Sequence, residues 1–293
     1  MPRPPILIPI LGAACLVSTA GCAQTEPAVI EAQTASADTT EPERPTVQAL
    51  PETVGPVMVG PLTADAAVTD ARQLVGAMHG RYGRSWYRTL TFTQATYRKG
   101  PDGSVSEETW REWAALPGRL RIEMDDPMEG TDALYARDSL FVYRDGALAA
   151  ARPERNPLLL WGFDVYAQPP AETLRILEEE GYSLDAFRED TWNGRPAYVL
   201  GVPESGEVWV DRERLLFVRL VEPGADGQLQ DVRFEDYRPL AGGWIAPRVE
   251  VWVDGDRVFW EEYSDVEAGA TLDPVLFDPR RWSEAVEGSK ADG

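Results

Sequence analysis

The sequence has almost none of the residues that build metal sites and thiol centres. Its two cysteines, Cys15 and Cys22, both lie in the first 22 residues, and His79 is its single histidine. The rest of the chain can therefore hold no disulfide, no thiolate metal site and no cysteine nucleophile, and a site with several histidines is excluded. The motifs of serine hydrolases, zinc proteases, P-loop enzymes and EF-hand calcium sites are missing too. We expect no metal and no cofactor.

Basic residues are scarce as well. The chain carries 28 Lys and Arg against 49 Asp and Glu, which gives a formal net charge of -21. Such a charge repels phosphate, so nucleic acid is excluded as a partner, and an anionic bilayer would not attract the body of the protein. Beyond the N-terminus no apolar run approaches the roughly 20 residues of a membrane-spanning helix. We expect membrane contact only at the N-terminal end.

Residues 1–21 are typical of a bacterial export signal. Arg3 supplies a positive charge, residues 6–17 are apolar, and residues 18–21 are small, which suits cleavage. Cys22 follows directly. Small residues before a cysteine resemble the lipobox of bacterial lipoproteins, in which that cysteine is diacylated and becomes the new N-terminus. The resemblance implies a lipid anchor on Cys22.

The lipobox interpretation has alternatives. Thr19 stands where lipoproteins usually have Leu, Ala14 and Cys15 form a weaker second match, and a plain secretory signal would leave Cys22 free or remove it. Acyl chains on Cys22 would anchor the protein by about 0.8 kcal/mol per buried CH₂ group. Ala23 follows, whereas Asp at that position in lipoproteins is associated with retention at the inner membrane. By this resemblance the protein is expected at the outer membrane of the bacterial envelope, facing the periplasm.

Residues 22–63 are predicted to form a disordered tether. They are rich in Thr, Glu, Pro and Ala and show no periodicity, so they cannot bury enough apolar surface to offset the entropy lost on ordering. The tether would let a folded domain, predicted at residues 64–280, stand away from the bilayer. Residues 281–293 are small and charged and are expected to be a frayed tail.

The folded domain is predicted to be mainly antiparallel β-structure. In Arg119–Met124 apolar and basic or acidic residues alternate, and Asn-Gly or Asp-Gly pairs at 193–194, 226–227 and 254–255 are typical of tight hairpins. Alternation indicates a sheet with one buried and one solvent-exposed face. About ten to twelve long strands are expected, and such sheets tend to curl. The predicted strands are 86–98, 105–113, 119–124, 133–136, 140–143, 207–211, 215–222, 229–237, 244–253 and 257–266.

A helix is predicted before the first strand. Thr63 is a candidate N-cap, Gly80 and Gly83 are candidate end points, and the apolar residues between them recur at spacings of three and four. This apolar stripe is expected to lie on the sheet. His79 falls in the last turn, where a cation interacts favourably with the helix dipole, and we interpret it as structural.

An apolar insertion interrupts the strand pattern. Residues 156–167 read NPLLLWGFDVYA, although a connection between strands is usually polar. A helix is predicted to follow at 171–180, with Gly181 just after its end. One interpretation is a loop and helix that plug the open side of a curved sheet. The other is a mobile lid over an apolar cavity, and a plug that can move would satisfy both.

The order of these segments resembles the LolA/LolB superfamily of bacterial envelope lipoprotein-sorting proteins, with the N-terminal domain of the RseB stress sensor and the LppX lipid carriers as relatives. The resemblance covers about residues 65–279 and rests on phrases such as WYRTLTFTQATY, GRLRIEM, LYARDSLFVYRDG and DVRFEDYRPLAGGWIAPRVEVW. It implies a mainly β (α+β) fold, in which a large curved antiparallel sheet forms an unclosed half-barrel plugged by the N-terminal helix and the short helical insertion. It also implies no cofactor and no catalytic residues.

The resemblance further implies a cavity that holds lipid, or the acyl chains of lipoproteins, for sorting or transfer at the outer membrane. Candidate lining residues lie on the apolar strand faces and in the insertion, and any one of them could instead be ordinary core. They are Leu90, Phe92, Leu120, Ile122, Leu140, Val142, Leu159, Trp161, Phe163, Val218, Val232, Phe234 and Val251.

Two other classes of function stay open. A lipid-anchored β domain could be a sensor or scaffold that binds another envelope protein, as in the RseB-like branch. A packed interior with an exposed apolar patch would favour that alternative. A paired-carboxylate hydrolase could use acids such as Asp125 and Asp126, residues 178–180, or Glu261 and Glu262. However, residues 178–180 lie on a predicted amphipathic helix and Asp126 precedes Pro127 in a turn, so the enzyme hypothesis is the weaker one.

Overall fold

The computed structural model describes residues 68–124, 130–224 and 227–289, and all of these belong to one compact unit. The predicted signal peptide, the predicted lipidation site Cys22 and the predicted tether lie outside the described residues, as do Thr63, Asp125, Asp126 and the predicted turn residue Asp226. The strands are β1 (Thr89–Lys99), β2 (Val105–Ala115), β3 (Arg119–Met124), β4 (Thr131–Ala136), β5 (Ser139–Arg144), β6 (Ala147–Pro153), β7 (Phe187–Trp192), β8 (Arg195–Val202), β9 (Gly206–Asp211), β10 (Phe217–Pro223), β11 (Leu229–Glu235), β12 (Arg238–Leu240), β13 (Gly243–Ile245), β14 (Arg248–Val253) and β15 (Asp256–Ala268).

Helical segments lie at both ends of the described chain and in its middle. They are α1 (Ala71–Tyr82), α2 (Pro157–Leu159), a π-helical turn (Leu160–Asp164), α3 (Val165–Ala167), α4 (Pro170–Glu179) and α5 (Trp282–Ser289), with 3₁₀ turns at Pro203–Ser205, Pro274–Phe277 and Pro279–Arg281. None of the helices described is long and apolar enough to cross a membrane.

Thirteen strands form one antiparallel sheet in the order β6-β5-β4-β3-β2-β1-β15-β14-β11-β10-β9-β8-β7, while β12 and β13 pair with each other. Because β6 and β7 are the two edges and do not pair, the sheet is not closed into a barrel. This confirms the predicted fold class. Both edges discourage further pairing, since β6 ends at Pro153 and β7 carries Arg188, Glu189 and Asp190.

Sequence patterns located the strands of the sheet interior better than those at its edges. β6 and β7 were not among the predicted strands because their residues are largely exposed and do not alternate between apolar and polar. The interior strand β8 was missed as well, because its residues 197–201 form a continuous buried run. The predicted strand 244–253 is in fact two strands, β13 and β14. Pro247 lies between them and cannot donate a backbone hydrogen bond, so the ladder breaks there and β14 pairs with β11.

The hairpin turns confirm the predicted turn chemistry. Asn193 and Gly194 between β7 and β8 have φ angles of 49° and 74°, and Asp254 and Gly255 between β14 and β15 have 52° and 86°. Two successive positive φ angles define the turn whose twist matches that of paired strands. The turn residues therefore set the register of these hairpins, which decides the face on which each strand side chain lies.

The N-cap of helix α1 differs from its prediction, and the helix ends at the second of the two predicted glycines. Asp70 is the N-cap, and its side chain accepts a hydrogen bond from the backbone N–H of Gln73 at 2.8 Å. Gly80 does not end the helix, which continues to Tyr82, with Gly83 as its C-cap. Tyr82 is 2% exposed, and the packing of this ring offsets the roughly 1 kcal/mol that a glycine costs inside a helix.

Helix α4 agrees with its prediction within one residue. Gly181 follows it with a φ of 77°, and the N–H of Tyr182 donates to the carbonyl of Leu177 at 2.9 Å. The N–H of Gly181 donates to the carbonyl of Glu178 at 3.1 Å. These two bonds form a Schellman motif, in which Gly181 is the C′ residue as predicted. The chain therefore turns sharply after α4 towards strand β7.

The apolar insertion, residues 156–167, and α4 fill the connection between the two edges of the sheet. The chain leaves the sheet at Pro153, passes through the insertion and α4, and re-enters the sheet at Phe187 on the opposite edge. Asn156 caps α2, since its Oδ1 accepts from the N–H groups of Leu158 and Leu159 at 2.8 and 3.0 Å. An open sheet thus has a helical segment that runs from one edge to the other.

The C-terminal segment is more ordered than expected. Instead of fraying from residue 281, Trp282–Ser289 form α5, and Trp282 is 3% exposed. Its ring stacks on Tyr143 with centroids 4.1 Å apart, and the guanidinium of Arg121 lies 3.5 Å from its centroid. The segment is ordered because Trp282 packs on an apolar patch on the outside of β3–β5. Short-range sequence patterns do not reveal this patch.

We predict that Trp282→Ala lowers the free energy of unfolding by about 3 kcal/mol or more, because it removes a buried ring and the cation–π partner of Arg121. Chemical denaturation monitored by circular dichroism measures the change. Ser283→Ala, at an exposed neighbouring position of α5, is the matched control and should change stability by less than about 0.5 kcal/mol. Equal stability of the two variants would show that α5 does not dock on the sheet.

Candidate functional site

One face of the sheet is covered by helices, and it carries most of the candidate lining residues. The register of strands β1 to β5 places five residues in one row across the sheet: Leu90, Ala114, Leu120, Tyr135 and Leu140. The next row aligns Phe92, Glu112, Ile122, Ala133 and Val142. In the other half of the sheet, Val251 opposes Val232, and Phe234 opposes Val249. We call this the helix-covered face, and the opposite side the outer face.

The insertion lies on the helix-covered face. A side chain added at Gly162 would come within 3.0 Å of the Phe234 ring. Trp161 and Phe217 are stacked with centroids 6.5 Å apart, and the N–H of Phe217 donates to the Tyr166 hydroxyl at 2.8 Å. The structure therefore places the insertion, through Gly162, against Phe234, which is one of the strand residues predicted to line the cavity.

Two candidates depart from the others. Val218 lies beside a register irregularity of β10 and packs with Ala197, Val199 and Trp209 on the outer face, so it does not share a surface with the insertion. Phe163 is only half-buried. The remaining candidates are buried, with Leu90, Leu140, Trp161 and Val232 at 0% exposure. In this structure the interior between sheet and insertion is filled by side chains.

A small number of polar contacts tie the insertion to its surroundings. Arg88, just before β1, donates from Nη1 to the carbonyl of Ala167 and from Nη2 to the carbonyl of Gly83 at 2.9 Å. His79 Nδ1 lies 3.2 Å from the Tyr166 carbonyl oxygen. This contact agrees with the structural role predicted for His79, and Arg88 joins α1 and the insertion to the start of the sheet.

We predict that Arg88→Met increases amide hydrogen exchange in residues 157–167 by about tenfold or more. The substitution removes charge-assisted hydrogen bonds to two backbone carbonyls, each worth about 1.5–3 kcal/mol. Arg111→Met, at an exposed position of β2, is the control. Exchange that is equally slow in both variants would show that Arg88 does not hold the insertion in place.

Two cavities and one groove open at the margins of these elements. A cavity of about 300 Å³ lies between the insertion, α4 and the β2–β3 and β4–β5 turns. A second, of about 190 Å³, lies near Trp192, Val218 and Tyr237, and a groove of about 840 Å³ runs under the C-terminal segment beside Phe141 and Phe277. The first is bordered by the insertion, and we call it the Asp164 cavity.

The Asp164 cavity contains a buried acid that the sequence analysis did not single out. Asp164 is 5% exposed, and its Oδ2 accepts a hydrogen bond from the Gly118 N–H at 3.0 Å. No hydrogen-bond donor for Oδ1 occurs among the described residues. Burial raises the pKa of Asp164 to about 8, and the Gly118 bond only partly opposes this shift. A lone acid within the apolar run LLLWGFDVYA was the sequence signal for it.

Two further carboxyl groups interrupt the apolar rows of the helix-covered face. Glu112 is 6% exposed, and burial, together with the charge of Glu261, raises its pKa well above the usual range. Burial likewise raises the pKa of Glu261 to about 7, although the Tyr263 hydroxyl donates to it at 2.8 Å. Among the described residues no group of three or more His, Cys, Asp or Glu side chains could hold a metal ion.

Of the acids that sequence analysis proposed for a hydrolase, residues 178–180 are engaged in ion pairs. Glu178 pairs with Arg72 at 3.2 Å, and Glu179 and Glu180 pair with Arg155 at 3.0 and 2.7 Å. These contacts tie α4 to α1 and to the start of the insertion. The acids of α4 therefore have a structural role, in line with the sequence interpretation of residues 178–180 as a solvated helix face.

We predict that Asp164→Asn stabilises the protein increasingly as the pH rises from about 4 to about 8. The unfolded chain releases this proton near pH 4, whereas the folded state keeps it until about pH 8, so stability is lost over that interval. The gain over the wild type should approach at most about 1.4 kcal/mol per pH unit. Chemical denaturation at pH 5 and pH 8.5 measures this gain in the free energy of unfolding. Asp185→Asn, at an exposed position, is the control. A gain that does not change with pH would contradict the prediction.

Comparison with known proteins finds similarity only among solved structures. No family model matches the chain, and no curated protein matches it. Among solved structures, a DUF1329 family protein from Desulfovibrio piger shares 15% identity and a TM-score of 0.48, covering 71% of this chain and 95% of its own. A putative outer membrane lipoprotein-sorting protein domain from Vibrio parahaemolyticus shares 15% identity and a TM-score of 0.49, with 72% and 97% covered.

A LolA superfamily protein from Nitrosomonas europaea shares 14% identity and a TM-score of 0.46, with 70% of this chain and 97% of its own covered. These names include the superfamily whose phrases the sequence resembles. At such identities the likeness concerns the fold alone, so the function has to be argued from the residues of this chain.

Proposed function

We propose that the protein is a bacterial envelope lipoprotein that holds acyl chains, of lipid or of lipoproteins, between its sheet and its helical insertion, and that it catalyses no reaction. The observation that carries this proposal is the apolar contact between the helix-covered face and the insertion. Phe217 and Phe234 on this face meet a segment built of short helical turns rather than one continuous helix, since Trp161 stacks on Phe217 and Gly162 lies against the Phe234 ring. Acyl chains require such an apolar surface and no chemical group.

The size of the cavities indicates how binding would occur. A volume of about 300 Å³ is at the lower end of ligand pockets and is too small for a pair of long acyl chains. The insertion would have to move away from the sheet and let the guest replace its apolar side chains. Burial of acyl surface contributes about 25 cal/mol per Å², which can offset the lost contacts of Leu159 and Trp161. The insertion would then act both as a plug and as a lid.

The proposal includes a location and a role. Acylated Cys22 would anchor the protein in the outer membrane, and residues 22–63 would let the domain reach into the periplasm. A permanent anchor suits a receptor or transfer partner better than a freely diffusing carrier. Lipid or lipoprotein acyl chains would be the cargo, and the membrane would be contacted through the anchor.

A second function is favoured by the outer face. There, arginine side chains lie over half-buried tryptophan rings: Arg219 is 4.3 Å from the centroid of Trp192, and Arg257 is 4.0 Å from that of Trp260. Arg and Trp dominate the energetically important positions of protein interfaces. Together with the filled interior, this surface supports the alternative of a sensor or scaffold that binds another envelope protein.

The test is lipid capture in the periplasm. The chain from residue 23 onwards is exported behind a cleavable secretory signal, purified without detergent and examined by native mass spectrometry with organic extraction. We expect a co-purifying acyl lipid in the wild type. Leu159→Trp, which narrows the Asp164 cavity, should reduce its amount severalfold, whereas Leu158→Trp, at a half-buried neighbouring position, should not.

A bare protein mass, without uptake of added fatty acid or phospholipid, would contradict the acyl-binding proposal. Affinity capture of envelope proteins, compared between the wild type and Arg219→Ala, would then test the sensor alternative. Equal loss of lipid in both Leu→Trp variants would indicate a general effect of bulk in the insertion.

A further inference from the structure

The Asp164 cavity combines an apolar wall with three buried side chains that carry polar groups, those of Asp164, Tyr135 and Gln168. Leu159, Leu160 and Ile176 supply apolar side chains, and Asp164 is the acid that lies among them. The π-helical turn Leu160–Asp164 ends at this acid, and π-helical turns occur frequently at functional sites. A cavity of this kind holds an apolar group and fixes its orientation through one hydrogen bond.

The hydrogen bonds of Asp164 define which partner it can take. Its Oδ2 already accepts from the Gly118 N–H at 3.0 Å, and Oδ1 has no partner among the described residues. At neutral pH the group is largely protonated, since burial raises its pKa to about 8. The proton belongs on Oδ1, because Oδ2 is occupied as an acceptor. Asp164 therefore offers a neutral O–H donor to a ligand oxygen.

The charges around the cavity argue against an anionic ligand group. Arg137 and Arg155 are balanced by Asp138 and Glu172, which line the same cavity. Arg155 is also held by Asp138 at 2.7 Å and by Glu180 at 2.7 Å, so its guanidinium is already matched. A neutral acceptor oxygen fits this environment better than a carboxylate or a phosphate.

We propose that the Asp164 cavity binds the carbonyl end of an acyl ligand, with Asp164 donating a hydrogen bond to an ester or amide carbonyl oxygen. This inference rests on the proposed acyl-binding function and adds to it a chemical preference. The acyl chain would continue along Leu159 towards the helix-covered face, and the polar group beyond the carbonyl would lie at the mouth beside Arg137 and Asp138. A ligand with the same chain but no carbonyl would lack the anchoring bond.

The test compares two probes that differ only in that carbonyl: 1-monolauroylglycerol, an ester, and 1-O-dodecylglycerol, the corresponding ether. Both are titrated calorimetrically, below their critical micelle concentrations, into the mature polypeptide, residues 22–293 with Cys22→Ser. At pH 6.5 the wild type should bind the ester about tenfold more tightly than the ether, as expected for one buried hydrogen bond. At pH 9.5 the preference should largely disappear, because Asp164 is then ionised and no longer a donor.

Two variants distinguish the loss of the hydrogen bond from Asp164 to the ligand from a general effect on folding. Asp164→Asn keeps an acceptor for Gly118 and a donor for the ligand, so it should prefer the ester at both pH values. Asp164→Leu removes the donor and should bind both probes equally. Arg137, Asp138, Arg155, Glu172 and Tyr135 also line the cavity. These residues are present in both the wild type and Asp164→Asn. A difference in pH dependence between these two proteins therefore comes from Asp164, even if the leucine variant does not fold.

The outcomes distinguish this inference from the function on which it rests. Equal affinity of the wild type for ester and ether at pH 6.5 would overturn the carbonyl site and leave acyl binding intact. An ester preference that persists in the wild type at pH 9.5 would also overturn it, since ionised Asp164 cannot donate. If neither probe binds, the acyl-binding proposal fails, and the carbonyl site fails with it.

Discussion

An open antiparallel sheet leaves an apolar face that must be covered, and the rest of this structure depends on how that is achieved. The edges β6 and β7 do not meet, so the sheet cannot bury its own face by closing. The connection between these edges supplies the cover, with Trp161 and Tyr166 in contact with Phe217 of β10. Hydrophobic burial is proportional to area and has no direction. Another apolar group of suitable shape could therefore take the place of the insertion.

Polar groups in the insertion and on the helix-covered face lower the stability of the fold and give these surfaces chemical character. Asp164, Glu112 and Glu261 have pKa values raised chiefly by burial, so each disfavours the folded state once the unfolded chain has released its proton. A protein selected only for stability would replace them with apolar residues. Asp164 lies in the insertion, and Glu112 and Glu261 lie in the rows of the helix-covered face rather than on the outer face. The loss of stability therefore falls on the side that would open in the proposed function.

The outer face is used differently in the two halves of the sheet. Over β3–β5 it is covered by the C-terminal segment, where Arg121 is fully buried between Glu123, at 2.7 Å, and the Trp282 ring. In the other half it carries rows of arginine and tryptophan that remain partly exposed, as with Arg233 over Trp252. The expectation of one buried and one solvent-exposed face therefore holds only for part of the sheet. The C-terminal segment limits the outer surface open to a partner.

The sequence by itself determined most strands of the sheet interior, their tight turns and the apolar character of the insertion. These follow from alternation, from Asn-Gly and Asp-Gly pairs and from residues 156–167, all of which act over short distances. Only the tertiary structure decided that Val218 faces outward, because a register irregularity in β10 changes its side. It also decided that Trp282 is buried and that Asp164 meets Gly118, 46 residues away. Such contacts depend on where a sheet of thirteen strands brings distant turns together, and no local pattern encodes that distance.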